Sequence, residues 1–158
     1  NDDLYFSVGA HPACNCPLTT DEAFGDYELV FPGKDQLTIT KLNNGLISKN
    51  TRQISLDKHS LTVNTSVFEN DALVLMNSQV DEVKLISRKT EHGVSVKAVN
   101  WPFFGIWTKK DTERFVCLEP WHGIADMDDS NGELQHKTGI IKLKAEENFQ
   151  CSFDISFF

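Results

Sequence analysis

Basic residues are scarce in this chain: 15 lysines and arginines stand against 23 aspartates and glutamates, a formal charge of −8 over 158 residues. A surface of that sign repels phosphate backbones, and no basic stripe offsets it, so no nucleic-acid partner is expected. Long apolar runs are missing too. None approaches the roughly 20 residues that a membrane helix needs, and no membrane role is expected. Cysteine is limited to Cys14, Cys16, Cys117 and Cys151. Four in a chain of this length do not make a disulfide scaffold, so reduced thiols and a cytoplasmic location are expected. The sequon Asn64-Thr65-Ser66 would matter only in a secreted protein, and no signal-peptide pattern is visible. Helical periodicity is the last absence: no segment sustains a 3.6-residue repeat over three turns.

The period that is present is two. Phe149, Cys151, Phe153, Ile155 and Phe157 alternate with Gln150, Ser152, Asp154 and Ser156, one face apolar and the other polar, as in a half-buried antiparallel strand. Val94, Val96 and Ala98 alternate with Ser95 and Lys97 in the same way. Further strands are expected at 4–8, 27–31, 36–40, 52–56, 72–76, 82–87, 104–108, 114–119 and 139–144. Pro32-Gly33, Asn43-Asn44-Gly45, His92-Gly93 and Ser130-Asn131-Gly132 mark reversals between them. Residues 57–71 lack alternation and have room for a short helical turn. Apolar residues make up 40% of the chain, including 11 Phe and 3 Trp, enough to build one core. Residues 1–158 therefore read as a single all-β domain, an antiparallel β-sandwich.

Three segments carry candidate chemistry. In Tyr5-Phe6-Ser7-Val8-Gly9-Ala10-His11-Pro12, alternation assigns Phe6, Val8 and Ala10 to a core face. The opposite face is small and polar and ends in the His11 imidazole, which is either a surface group at a strand end or a site group, with Gly9 leaving room for something to approach. In Arg114-Phe115-Val116-Cys117-Leu118-Glu119-Pro120-Trp121 a carboxylate closes an apolar strand. Glu119 shares a face with Phe115 and Cys117. It is either desolvated, which raises a carboxylate's pKa and makes it a better base, or solvent-facing just past the strand. In Phe68-Glu69-Asn70-Asp71-Ala72, Asp71 either serves its own turn or accepts hydrogen bonds from a sugar's hydroxyls. Trp101, Trp107 and Trp121 lie near these segments, and at most one is expected to stack on a ligand. His11, Cys14 and Cys16 have a poor chelating spacing, and the acidic loop Asp126, Asp128, Asp129 and Glu133 does not fit a calcium loop, so no metal site is expected.

Taken in order, these segments resemble the aldose 1-epimerase (galactose mutarotase-like) family, in its LacX-like branch. The resemblance is carried by Phe6-Ser7-Val8-Gly9-Ala10-His11-Pro12-Ala13, by Phe68-Glu69-Asn70-Asp71-Ala72-Leu73, by Gly105-Ile106-Trp107, and by Cys117 to Asp126, with Lys137 to Leu143 at the end. It implies part of a β-supersandwich, with His11 as general acid, Glu119 as general base and Asp71 as a sugar-binding residue. The implied reaction interconverts the α and β anomers of a hexose or hexose phosphate by acid–base ring opening, without metal or cofactor. The resemblance also implies that the family carries another stretch of sheet before this histidine. The chain is thus expected to be a C-terminal half, impaired by N-terminal truncation, with exposed sheet surface through which it self-associates. The alternative is a non-catalytic carbohydrate-binding or vestigial domain. A glycoside hydrolase using Asp71 and Glu119 ranks below both, because it leaves His11 without a role. His11 and Glu119 are expected to face one cleft, with room for a pyranose ring between them.

Overall fold

A computed structural model describes residues 2–158. Alternation in the sequence becomes thirteen short strands. They are β1 (Leu4–Phe6), β2 (Ala13–Asn15), β3 (Tyr27–Val30), β4 (Gln36–Asn43), β5 (Leu46–Ser55), β6 (Ser60–Thr62), β7 (Leu73–Met76), β8 (Glu82–Ser87), β9 (Gly93–Lys97), β10 (Phe103–Trp107), β11 (Phe115–Trp121), β12 (Ile141–Leu143) and β13 (Asp154–Phe157). Among the described residues helix is confined to three 3₁₀ turns, at Phe24–Asp26, Thr65–Phe68 and Leu134–His136. The second falls where the sequence lost its alternation, and the Asn64 side chain caps it by accepting from the Val67 amide at 3.1 Å. No helix among the described residues is long and apolar enough to cross a membrane.

Every strand pairing is antiparallel. Six strands form one sheet in the order β2-β11-β10-β7-β4-β5, and five form a second in the order β13-β9-β8-β3-β6. Strands β1 and β12 make a separate two-stranded ribbon. The main core lies between the two large sheets. Leu37, Ile39, Leu73, Leu75, Phe104, Ile106, Val116 and Leu118 from the first meet Tyr27, Leu29, Val83, Leu85, Val94 and Val96 from the second. Because side chains alternate, the residues between those of the first sheet must project from its other side. That outer face carries a smaller cluster of Val74, Phe103, Ile47 and Ile124, with Met76, Trp121 and Met127 against it.

Turn chemistry sets the register where it matters. Asn44 and Gly45 have φ of 52° and 82°, the two left-handed residues of a tight hairpin, and they join β4 to β5. One buried polar cluster ties the second sheet to the loop before it. Glu22 accepts from Ser87 Oγ at 2.5 Å, from Thr90 Oγ1 at 2.9 Å and from the Tyr27 hydroxyl. These bonds hold its carboxyl down at about 2. All four cysteines are free.

Two expectations are corrected. The strand predicted over 149–157 pairs only from Asp154 onward. Phe149, Cys151 and Phe153 alternate in burial as predicted but make no ladder, while Ile155 and Phe157 are exposed. The predicted core face of the first segment also breaks at Val8, which is exposed, while Phe6 and Ala10 are half-buried. Phe6 packs edge-on against Phe149, ring centroids 5.4 Å apart.

Candidate active site

Register brings the two proton-transfer candidates together. Strand β2 pairs with β11 through Cys117 opposite Ala13, and an isolated bridge sets Trp121 opposite Gly9. His11 therefore falls opposite Glu119. The flanking backbone bonds, Ala10 N to Pro120 O at 3.0 Å and Leu118 N to Pro12 O at 3.1 Å, leave that pair at a position without ladder bonds of its own. Side chains stand closest at such positions. The result is His11 Nε2 at 3.4 Å from Glu119 Oε1. The expected ring-wide gap between them is absent, and a pyranose would have to lie over the pair.

The two groups differ in environment. The His11 side chain, in the run between the Gly9 bridge and β2, is 61% exposed, whereas that of Glu119 is 5% exposed. Burial pushes the Glu119 carboxyl up to about 7, against the opposing pull of His11 and of a hydrogen bond from the Trp121 side chain. On the neighbouring strand Gly105 lies directly opposite Glu119, and the Trp121 indole fills the space beside it. Trp107, opposite Cys117 on β10, meets the His11 ring edge-on with centroids 6.1 Å apart. The site is thus a carboxylate set in apolar wall between two tryptophans, with an imidazole at its open side.

Asp71 is not brought to the pair. Its φ is 74° and its Oδ1 accepts from the Ala72 amide at 2.8 Å, so the exposed carboxylate serves its own turn. Val74 shares Glu119's cross-strand row through Gly105. Asp71 lies three residues before Val74, in the turn that leads into β7 and towards the Trp107 end of that row. Trp101 is buried, its Nε1 bonded to Ser152 O at 2.9 Å, which makes it a packing residue. A hollow of about 490 Å³ on the same outer face, lined by Thr38, Thr40, Ser48 and Thr51, lies towards the β4–β5 edge and does not include the pair. The acidic loop is partly neutralised, Asp126 by Lys137 and Asp129 by Lys49.

Cys117 joins the pair, although the sequence alone does not single it out as a site residue. Register sends Cys14 opposite Val116 on the core side and Cys16 into the core, away from the His11 side chain. Cys117 instead lies two residues before Glu119 on the same face, and its sulfur, one ring nitrogen of His11 and one carboxylate oxygen of Glu119 all fall within 4.8 Å of one another. The signal in the sequence was the shared parity of Cys117 and Glu119.

No protein-family model matches the chain. The LacX protein of Lactococcus lactis subsp. lactis, in its chromosomal form, is 32% identical over 155 residues, covering 96% of this chain and 52% of that protein. A galactose mutarotase related enzyme from Lactobacillus acidophilus superposes with a TM-score of 0.90 at 30% identity, over 99% of this chain and 53% of that one. Along nearly its whole length the chain is thus similar to about half of a LacX or galactose mutarotase related protein. A galactose mutarotase-like protein from Lactobacillus casei has the same fold, with a TM-score of 0.82 at 21% identity. The chain spans about half the length of the relatives it matches.

Proposed function

We propose that the chain carries the acid–base pair of an aldose 1-epimerase, acting on a hexose or hexose phosphate. The observation that supports this reading is the contact between an exposed imidazole and a buried carboxylate raised to about 7, His11 Nε2 to Glu119 Oε1 at 3.4 Å. In this reading Glu119, as carboxylate, takes the proton of the anomeric hydroxyl. His11, as imidazolium, gives one to the ring oxygen. The C1–O5 bond breaks with its electron pair going to O5, and C1 becomes a carbonyl. Rotation about C1–C2 and closure on the other face reverse both transfers. A base close to neutrality suits this exchange, because each group must both give and take a proton within a cycle. The likeness to a galactose mutarotase related enzyme supports the same chemistry. Asp71 enters as a sugar contact only if a ligand extends past Trp107 to reach it.

Polarimetry tests the proposal. The purified chain should speed the approach of a pure α-hexose to anomeric equilibrium, at a rate below that of a full-length relative. Glu119→Gln should lower that catalysed rate by ~10²–10⁴-fold. The half-length span, and the engagement of Asp71 with its own backbone, favour a second reading as a carbohydrate-binding domain. A chain that binds hexose by calorimetry without accelerating mutarotation would establish that reading in place of the first.

A further inference from the structure

Three donor atoms of different chemical kind converge at this site: an imidazole nitrogen from His11, a thiol sulfur from Cys117 and a carboxylate oxygen from Glu119, all within 4.8 Å of one another. Two come from buried residues of β11, and the third from the exposed segment just before β2. Zinc binds nitrogen and oxygen at about 2.0–2.1 Å with tetrahedral angles, so two such ligand atoms stand roughly 3.3–3.4 Å apart. His11 Nε2 and Glu119 Oε1 are 3.4 Å apart. We propose that His11, Cys117 and Glu119 form a binding site for a zinc-class divalent cation, which shuts off proton transfer by occupying both groups.

The donor set selects the cation. A thiolate with an imidazole suits zinc or cobalt, whereas calcium and magnesium need cages of oxygen that this site cannot supply. Binding releases protons to solvent: the Cys117 S–H bond breaks with its electron pair going to the metal, and the proton held by the His11–Glu119 pair leaves as the imidazole nitrogen and the carboxylate take up the cation. Three protein ligands leave a fourth tetrahedral position, which water would fill. The site's existence is independent of the sugar chemistry. Its inhibitory effect rests on the reading of His11 and Glu119 as the acid–base pair.

Cobalt(II) makes the site visible. The chelator-treated, reduced chain titrated with Co²⁺ should bind one equivalent, showing the intense visible bands of tetrahedral cobalt and a near-ultraviolet sulfur-to-cobalt band. Zn²⁺ should bleach both. Cys117→Ser should abolish the near-ultraviolet band and weaken binding by more than the roughly 10–100-fold that loss of an outer-shell partner costs. Its circular dichroism reports that the sheet is intact, and His11→Ala, a change at an exposed residue, provides a second variant that should weaken binding alike. Absence of one-equivalent binding, or binding unchanged by both substitutions, as cation held on the Asp126–Asp129 loop would give, would overturn the proposal. One equivalent of Zn²⁺ should also abolish catalysed mutarotation. Cobalt seated on sulfur with mutarotation undiminished would keep the metal site and sink the acid–base assignment instead.

Discussion

The indole of Trp121 occupies the space that a side chain on Gly105 would need: a Cβ at residue 105 would lie 2.1 Å from the ring. The two residues belong to adjacent strands, with Gly105 opposite Glu119 and Trp121 two residues further on. A missing side chain on β10 therefore lets the indole lie beside the buried carboxylate, desolvating it while hydrogen-bonding to it.

Gly105→Ala is accordingly expected to displace the indole. Overpacking of this kind typically costs about 1–3 kcal/mol, which denaturant unfolding would read. The catalysed mutarotation rate should fall on the order of 10²-fold, since small misplacements at a reacting centre are that costly. Wild-type stability and rate in the alanine variant would show that Trp121 has no part in positioning Glu119.

Glu119 should couple activity and stability to pH in opposite directions. As a base raised to about 7, it becomes competent as pH rises, so kcat/KM should climb through about pH 7. Its folded pKa exceeds the ordinary carboxylate value. Its stabilising contribution is thus complete below that ordinary value and is lost as pH rises towards 7. Glu119→Gln should therefore unfold at a higher temperature than wild type above pH 7, with the gap closing below pH 4. Glu22 has the reverse sign. Its carboxyl is held at about 2, so its contribution is present at neutral pH and is lost as pH falls towards 2. Glu22→Gln should melt lower at neutral pH and converge with wild type in acid. Thermal scans of both variants from pH 2 to 8 check the two signs, and a destabilised Glu119→Gln at pH 8 would contradict the burial argument.

Alternation made much of the sandwich legible. Glu82 to Ser87 forms the predicted strand and buries every second residue, because a strand flanked on both sides with one face on the core must show that pattern. The strands that escaped notice, β2 and β6, are three residues each. They exist because a neighbour offers a ladder, which no local pattern records. His11 and Glu119 could be singled out from their segments, but their contact arises from the pairing of β2 with β11, and register between distant strands is tertiary information. The same register separates His11 from Cys14 and Cys16 and gives it Cys117. For Asp71, local turn chemistry was visible in the Asn70-Asp71 pair and accounts for the carboxylate's position. Its use by a ligand remains a matter for kinetics.

That use has a clean test. Asparagine tolerates the left-handed backbone that Asp71 adopts at φ 74° and keeps an oxygen to accept from the Ala72 amide, so Asp71→Asn should leave the fold unchanged. If the carboxylate contacts sugar hydroxyls, the variant should raise KM several-fold with kcat nearly constant, the signature of lost uniform binding. Unchanged kinetics would leave Asp71 as a turn residue, and a fall in kcat alone would move it into the proton-transfer machinery.

The last expectation concerns what covers the second sheet's edge. Strand β13 ends that sheet, and its side chains are all exposed, Phe157 by 80%. Ile155 and Phe157 line an apolar hollow of about 400 Å³ with Leu18, Leu85 and Val94. An exposed edge beside an apolar patch invites pairing with another strand. We expect a second copy of the chain to cover this patch. Light scattering should then report a mass above the 17.8 kDa of one chain, rising with concentration. Replacing Ile155 with Lys and Phe157 with Asp removes the apolar contact while altering only exposed positions. The doubly substituted chain should sediment as a monomer with an unchanged melting temperature. A wild-type chain that stays monomeric at high micromolar concentration would show that β13 and its hollow are tolerated bare, and self-association through this edge would be ruled out.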